Sequence, residues 1–139
     1  MSVEEVMAGM MGARILVVED DPDTAAVLHT RLAAAGYEVH IEAYGATALS
    51  YAVAHRPDLV ILDVKLPDLN GYDVCQELRT FYGRSEVPVL LYTAMDDPID
   101  AVYVVTCGAD AYLTKQCEPT ELLRVIDQLL HEIPHFEFA

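Results

Sequence analysis

Basic residues are scarce in this chain: 8 Lys and Arg stand against 23 Asp and Glu, giving a formal net charge of −15. No Lys/Arg run occurs, which disfavours direct contact of this domain with nucleic acid or an anionic membrane. Long apolar stretches are lacking as well. The apolar runs hold about four to six residues, far short of a membrane span. Met1 to Ala13 carries neither the basic start nor the apolar stretch of a signal peptide, so a cytoplasmic location is expected. Cysteine is limited to Cys75, Cys107 and Cys117, an odd number without C-x-x-C spacing. That argues against a disulfide framework or a zinc set, and for free, buried or half-buried thiols. The five histidines read as ordinary helix and surface positions.

What is present is apolar material: 53% of 139 residues, enough for the core of one domain. Residues 1–13 are expected to be a flexible extension, 14–132 the domain and 133–139 a tail. Leu59-Val60-Ile61-Leu62 is a short run of strand formers bounded by turn residues, the pattern of a strand buried on both faces in a parallel sheet. Further strands are expected at Arg14–Glu19, Tyr37–Ala43, Val87–Thr93 and Ala111–Thr114. Helical spacing fills the intervals. Asp21-Pro22 opens the first helix, with Asp21 as a candidate cap, and Gly36 closes it. The second helix presents Ala48, Leu49, Ala52 and Val53, and the third Val74, Leu78 and Phe81. A fourth runs from about Pro98 to Thr106, and a fifth carries Leu122, Leu123, Val125, Ile126, Leu129 and Leu130. Alternating strands and helices predict βα units, a parallel sheet and helices on both of its faces.

In such a sheet, chemistry sits outside the carboxyl ends of the strands. The residues found there are Glu19, Asp20 and Asp21 after the first strand, Asp63 after the third, Thr93 after the fourth and Lys115 after the fifth. Carboxylates with room for water suit Mg²⁺, and an ammonium with a hydroxyl suits the oxygens of a phosphoryl group. A carboxylate can itself be the nucleophile.

These residues lie in order within longer matching text: Ile15-Leu16-Val17-Val18-Glu19-Asp20-Asp21, Pro57 to Asp63, Leu66-Pro67 through Asn70-Gly71, Tyr92-Thr93-Ala94 and Gly108 to Lys115. From 14 to about 132 the chain resembles the receiver domain of two-component response regulators, close in layout to the single-domain chemotaxis regulators. The intervals agree, 93 − 63 = 30 and 115 − 63 = 52. The resemblance implies a flavodoxin-like doubly wound sheet of five parallel strands in the order 2-1-3-4-5 with five helices. It further implies a phosphorylation-activated switch with Asp63 as phospho-acceptor. Mg²⁺ would be held by Asp20, Asp21, Asp63 and the peptide carbonyl of Val64, with Glu19 as a neighbour. Thr93 and Lys115 would contact the phosphoryl group, and Tyr112 would be the switch aromatic. The donor would be a sensor histidine kinase or histidine phosphotransfer protein. The output face would be the fourth helix, fifth strand and fifth helix, binding an effector or a second copy.

Three features depart from the family or stand out. Gln116 follows Lys115 where the family usually has proline, so either a trans bond with a rearranged loop or a strained cis bond is expected. Lys65 and Met95 sit where side chains gate water access to an acyl phosphate. The fourth helix is apolar on more than one stripe and β-branched, which suggests a partner face. Competing readings are a phosphorylation-independent interaction module and an aspartyl-nucleophile phosphatase, which would need a second Asp where Lys65 stands. A flavin binder is opposed by Glu19-Asp20-Asp21, which would repel phosphate.

Overall fold

A computed structural model describes residues 12–83, 86–94, 101–131 and 137–138. Strands β1 (Arg14–Val18), β2 (Glu38–Glu42), β3 (Leu59–Leu62), β4 (Val89–Thr93) and β5 (Ala111–Thr114) alternate with five helices. These are α1 (Pro22–Ala34), α2 (Gly45–His55), α3 (Gly71–Phe81), α4 (Ala101–Thr106) and α5 (Pro119–His131). Every strand pairing is parallel, in the order β2-β1-β3-β4-β5, as expected. A two-residue strand β6 (Glu137–Phe138) adds to the outer edge of β5, with Ala111 opposite Glu137 and Tyr112 opposite Phe138. The tail expected from the sequence thus contributes a sixth strand.

Alternation along the strands divides the core into two layers. Ile15, Val17, Leu59, Ile61, Leu90 and Leu113 face α1 and α5. Leu16, Val18, Val60, Leu62 and Leu91 face α2, α3 and the end of α4. Burying Leu122, Val125, Ile126 and Leu129 seats α5, each side chain stabilising by roughly 1.5–3 kcal/mol. Two expected core positions are corrected. Val53 is 47% exposed because Ala48 and Ala52 already bring α2 onto the sheet, and Phe81 is 54% exposed in the last turn of α3.

The helix ends follow the capping chemistry read from the sequence. Asp21 accepts the Thr24 N–H at 3.1 Å, and Pro22 takes the first turn of α1. Gly36 adopts φ +96°, the left-handed turn that ends α1. The segment before β5 is tied by Arg79. Its guanidinium donates to Val87 O at 2.6 Å, to Gly108 O at 2.8 Å and to Asp110 Oδ2 at 2.7 Å. Asp110, fully buried, also accepts the Val89 N–H at 2.8 Å, so one ion pair locks α3, β4 and the α4–β5 turn together.

Candidate functional site

Because β1, β3, β4 and β5 run parallel, their carboxyl ends open on one edge. Asp63 follows β3, 5% exposed, its N–H donating to Val18 O at 3.1 Å. Its Oδ2 accepts from the Lys115 ammonium at 3.0 Å and its Oδ1 from the Lys65 backbone N–H at 3.2 Å. Lys115 is delivered by β5, where its N–H donates to Thr93 O at 2.8 Å. The same ammonium lies 2.5 Å from Glu19 Oε1. Carboxylate oxygens of Glu19, Asp20 and Asp63 all lie within 4.8 Å of one another. Thr93 ends β4, buried beside this mouth, and Tyr112 is buried in β5 among the layer that includes Leu91, Val104 and Cys107.

This acidic group could hold a cation. Burial raises the Glu19 pKa to about 7, against the lowering effect of Lys115 and the Asp21 N–H. Burial disfavours the Lys115 ammonium too, but its bonds to Glu19 and Asp63 outweigh that and raise its pKa. One ammonium among three acids leaves negative charge uncompensated. A hard divalent ion such as Mg²⁺ fits the donor set, which is all oxygen, with exposed Asp20 leaving a side open to water.

The structure brings two of the expected ligands, Asp20 and Asp63, together with Glu19. Asp21 caps α1, its Oδ2 accepting from both the Thr24 N–H and hydroxyl, which lowers its pKa. The Val64 carbonyl accepts the Gly71 N–H at 2.7 Å, so it closes the β3–α3 loop. Lys65 is exposed at the rim and its backbone bridges to Asn70. Met95 lies outside the described residues. No cis peptide occurs among the described residues, so Lys115–Gln116 is trans, and the turn after β5 closes through Cys117 N–H to Thr114 O at 3.1 Å.

The thiols behave as expected. Cys75 and Cys107 are buried, and their mutual contact together with burial drives the Cys75 thiol pKa up, away from reactivity. His131 to His135 spells H-E-x-x-H, a pattern the sequence reading passed over. His131 pairs with Asp127 at 3.2 Å, and His135 lies outside the described residues.

Comparison with known proteins agrees with this geometry. The family model described as "Response regulator receiver domain" matches residues 15–127. Curated relatives include the DNA-binding response regulator MtrA of Mycolicibacterium smegmatis, 42% identical over 113 residues that cover 81% of this chain and 48% of the relative. The probable transcriptional regulator ycf27 of Cyanophora paradoxa is 43% identical over 117 residues, 84% of this chain and 48% of that protein. The chain thus spans about half the length of these relatives. Among solved structures, the receiver domain of a sensor histidine kinase from Pseudomonas aeruginosa, with a magnesium ion coordinated in its active-site cleft, superimposes with a TM-score of 0.79. It is 32% identical and covers 87% of this chain and 99% of its own. The BeF3-activated receiver domain of RstA from Klebsiella pneumoniae gives a TM-score of 0.78 at 30% identity, over 86% of this chain and 99% of its own.

Proposed function

Since the chain belongs to the response regulator receiver family, we propose that it is a phosphorylation-driven switch with Asp63 as the acceptor. The observation that carries this is the Asp63 carboxylate, held 3.0 Å from the Lys115 ammonium beside the carboxylates of Glu19 and Asp20. The donor class is a phosphohistidine on a sensor kinase or phosphotransfer protein. An Asp63 oxygen attacks the phosphorus, the P–N bond breaks, and the departing imidazole keeps the electron pair. Lys115 holds the acceptor in place and neutralises a phosphoryl oxygen, and Glu19 and Asp20 would hold Mg²⁺ beside Asp63. When bound, Mg²⁺ supplies the positive charge that lets a phosphoryl group sit among acids.

The product carries about −1.5 to −2 charges where one stood before. Thr93 then contacts a phosphoryl oxygen, and Tyr112 repacks with it. Lys65, exposed two residues past the acceptor, and Met95, two residues past Thr93 in the sequence, set water access. The output face is α4, β5 and α5, where Val102, Tyr103 and Val105 are 67%, 57% and 46% exposed. Apolar exposure of this extent on one short helix suits an effector or a second copy. Any activity of the remaining half of a longer regulator, DNA binding included, would be controlled through that face.

Incubation with Mg²⁺ and acetyl phosphate tests the acceptor. The expected result is a mass gain of one phosphoryl group that is lost in Asp63→Asn and without Mg²⁺; labelling that persists in Asp63→Asn would refute the assignment.

A further inference from the structure

Helix α2 begins without a cap of its own. Tyr44 occupies the N-cap position in extended conformation and makes no side-chain bond to the first turn. The caps come from 23 residues away: Asp68 Oδ1 accepts the Gly45 N–H at 2.8 Å and Oδ2 accepts the Ala46 N–H at 3.0 Å. Those two bonds lower the Asp68 pKa.

Asp68 sits at the apex of the loop that follows the acceptor. That loop is closed on itself, through Gly71 N–H to Val64 O and the Lys65–Asn70 bridge, and Asn70 caps α3 by accepting the Tyr72 N–H at 2.8 Å. The loop is therefore tied at both of its ends, at Val64 after β3 and at Asn70 before α3. Asp68 is its polar tie to α2, and Gly45 admits the close fit beneath it: a Cβ there would lie 2.9 Å from Val74 Cγ2 and 3.0 Å from Leu69 Cβ.

We propose that Asp68 is a positioning residue for phosphoryl transfer, clamping the acceptor loop to the start of α2 so that Asp63 and the Lys65 amide hold their places at the mouth. This rests on Asp63 being the acceptor. Removing Asp68 takes away the loop's bonds to α2 and lets its apex shift relative to that helix. Displacements near 1 Å at a reacting group can slow a reaction about a hundredfold.

Capping and positioning separate experimentally because the empty cap position is next door. Tyr44→Ser places a neutral hydroxyl at the N-cap, the residue type preferred there, and restores a local cap without a bond to the loop. The full chain is compared as wild type, Asp68→Ala, Tyr44→Ser and the double variant. Measurements are thermal melting, the rate of acetyl phosphate labelling by intact mass with Mg²⁺, and hydrogen exchange of residues 64–69. The expected result is a labelling rate about tenfold lower in Asp68→Ala, with faster exchange in the loop. The double variant regains the melting temperature but neither the rate nor the loop protection, and Tyr44→Ser alone labels like wild type. An unchanged rate in Asp68→Ala overturns the proposal, as does a double variant in which rate and stability recover together. Wild type that takes no label, or takes it equally as Asp63→Asn, overturns the acceptor reading instead.

Discussion

Gly71 shows how tightly single residues are fitted at the acceptor. A Cβ built there would stand 2.2 Å from the Asp63 carbonyl oxygen and 2.7 Å from Val64 Cα. Both obstacles are backbone, so no rotamer change relieves them. Gly71→Ala must push the loop away from α3, and overpacking of this kind destabilises by about 1–3 kcal/mol. Urea unfolding is expected to show that loss, and acetyl phosphate labelling is expected to slow beyond what the lost stability explains at a temperature where the variant is folded. Normal labelling would mean that the loop recovers its geometry. The sequence places Gly71 in a turn cluster but says nothing of the carbonyl it nearly touches, because that contact closes only when β3 and α3 are packed. The reverse holds for Asp21. Its place before Pro22 identifies it as a helix cap, and in the structure it is bonded to Thr24 through both the N–H and the hydroxyl.

Helices α1 and α2 are both capped by carboxylates, Asp21 from the adjacent residue and Asp68 from a distant loop. Each has its pKa lowered by the groups it accepts from, Thr24 in one case and the Ala46 and Gly45 amides in the other. Lowered in the fold, these acids contribute stability that is complete above the unfolded value near 3.9 and is lost as pH falls through the folded one. Unfolding followed between about pH 5 and 2 is therefore expected to show a shallower acid slope in Asp21→Asn and Asp68→Asn than in wild type. Slopes identical to wild type would mean that the two caps do not discriminate charge. Of these helix starts, the first was legible in the sequence and the second was not. A cap three residues from its amide leaves a local signature; one 23 residues away leaves none. The strands were legible for the opposite reason: Leu59 to Leu62 are apolar on every position, and only a strand with both faces covered needs that. Exposed Val53 and Phe81 show the limit, since helical spacing marks a stripe without saying where the sheet beneath it ends.

At the scale of the whole molecule, the proposed switch would have its acceptor at the carboxyl edge of the sheet and its readout on the side of β5. The acid mouth sits at the carboxyl ends of β1 and β3, whereas Tyr112 lies in β5 and Lys115 directly follows it, so on the proposed reading a phosphoryl group drawn against Lys115 would pull on β5. In the structure β5 is not the last strand, because Glu137–Phe138 pairs with it opposite Ala111 and Tyr112. Pairing on both sides restrains β5 against movement, and by reciprocity whatever moves β5 must act on the pairing. Alternate amides of β5 point away from β4 and toward β6. Their hydrogen exchange is expected to be slow in the full chain and to accelerate several-fold when the chain is cut after His131, while the amides of β1 stay protected. With Mg²⁺ and beryllofluoride, the same β5 amides are expected to change protection in the full chain. Exchange in β5 that is indifferent to both the cut and beryllofluoride would leave β6 a bystander and place the readout in α4 and α5 alone.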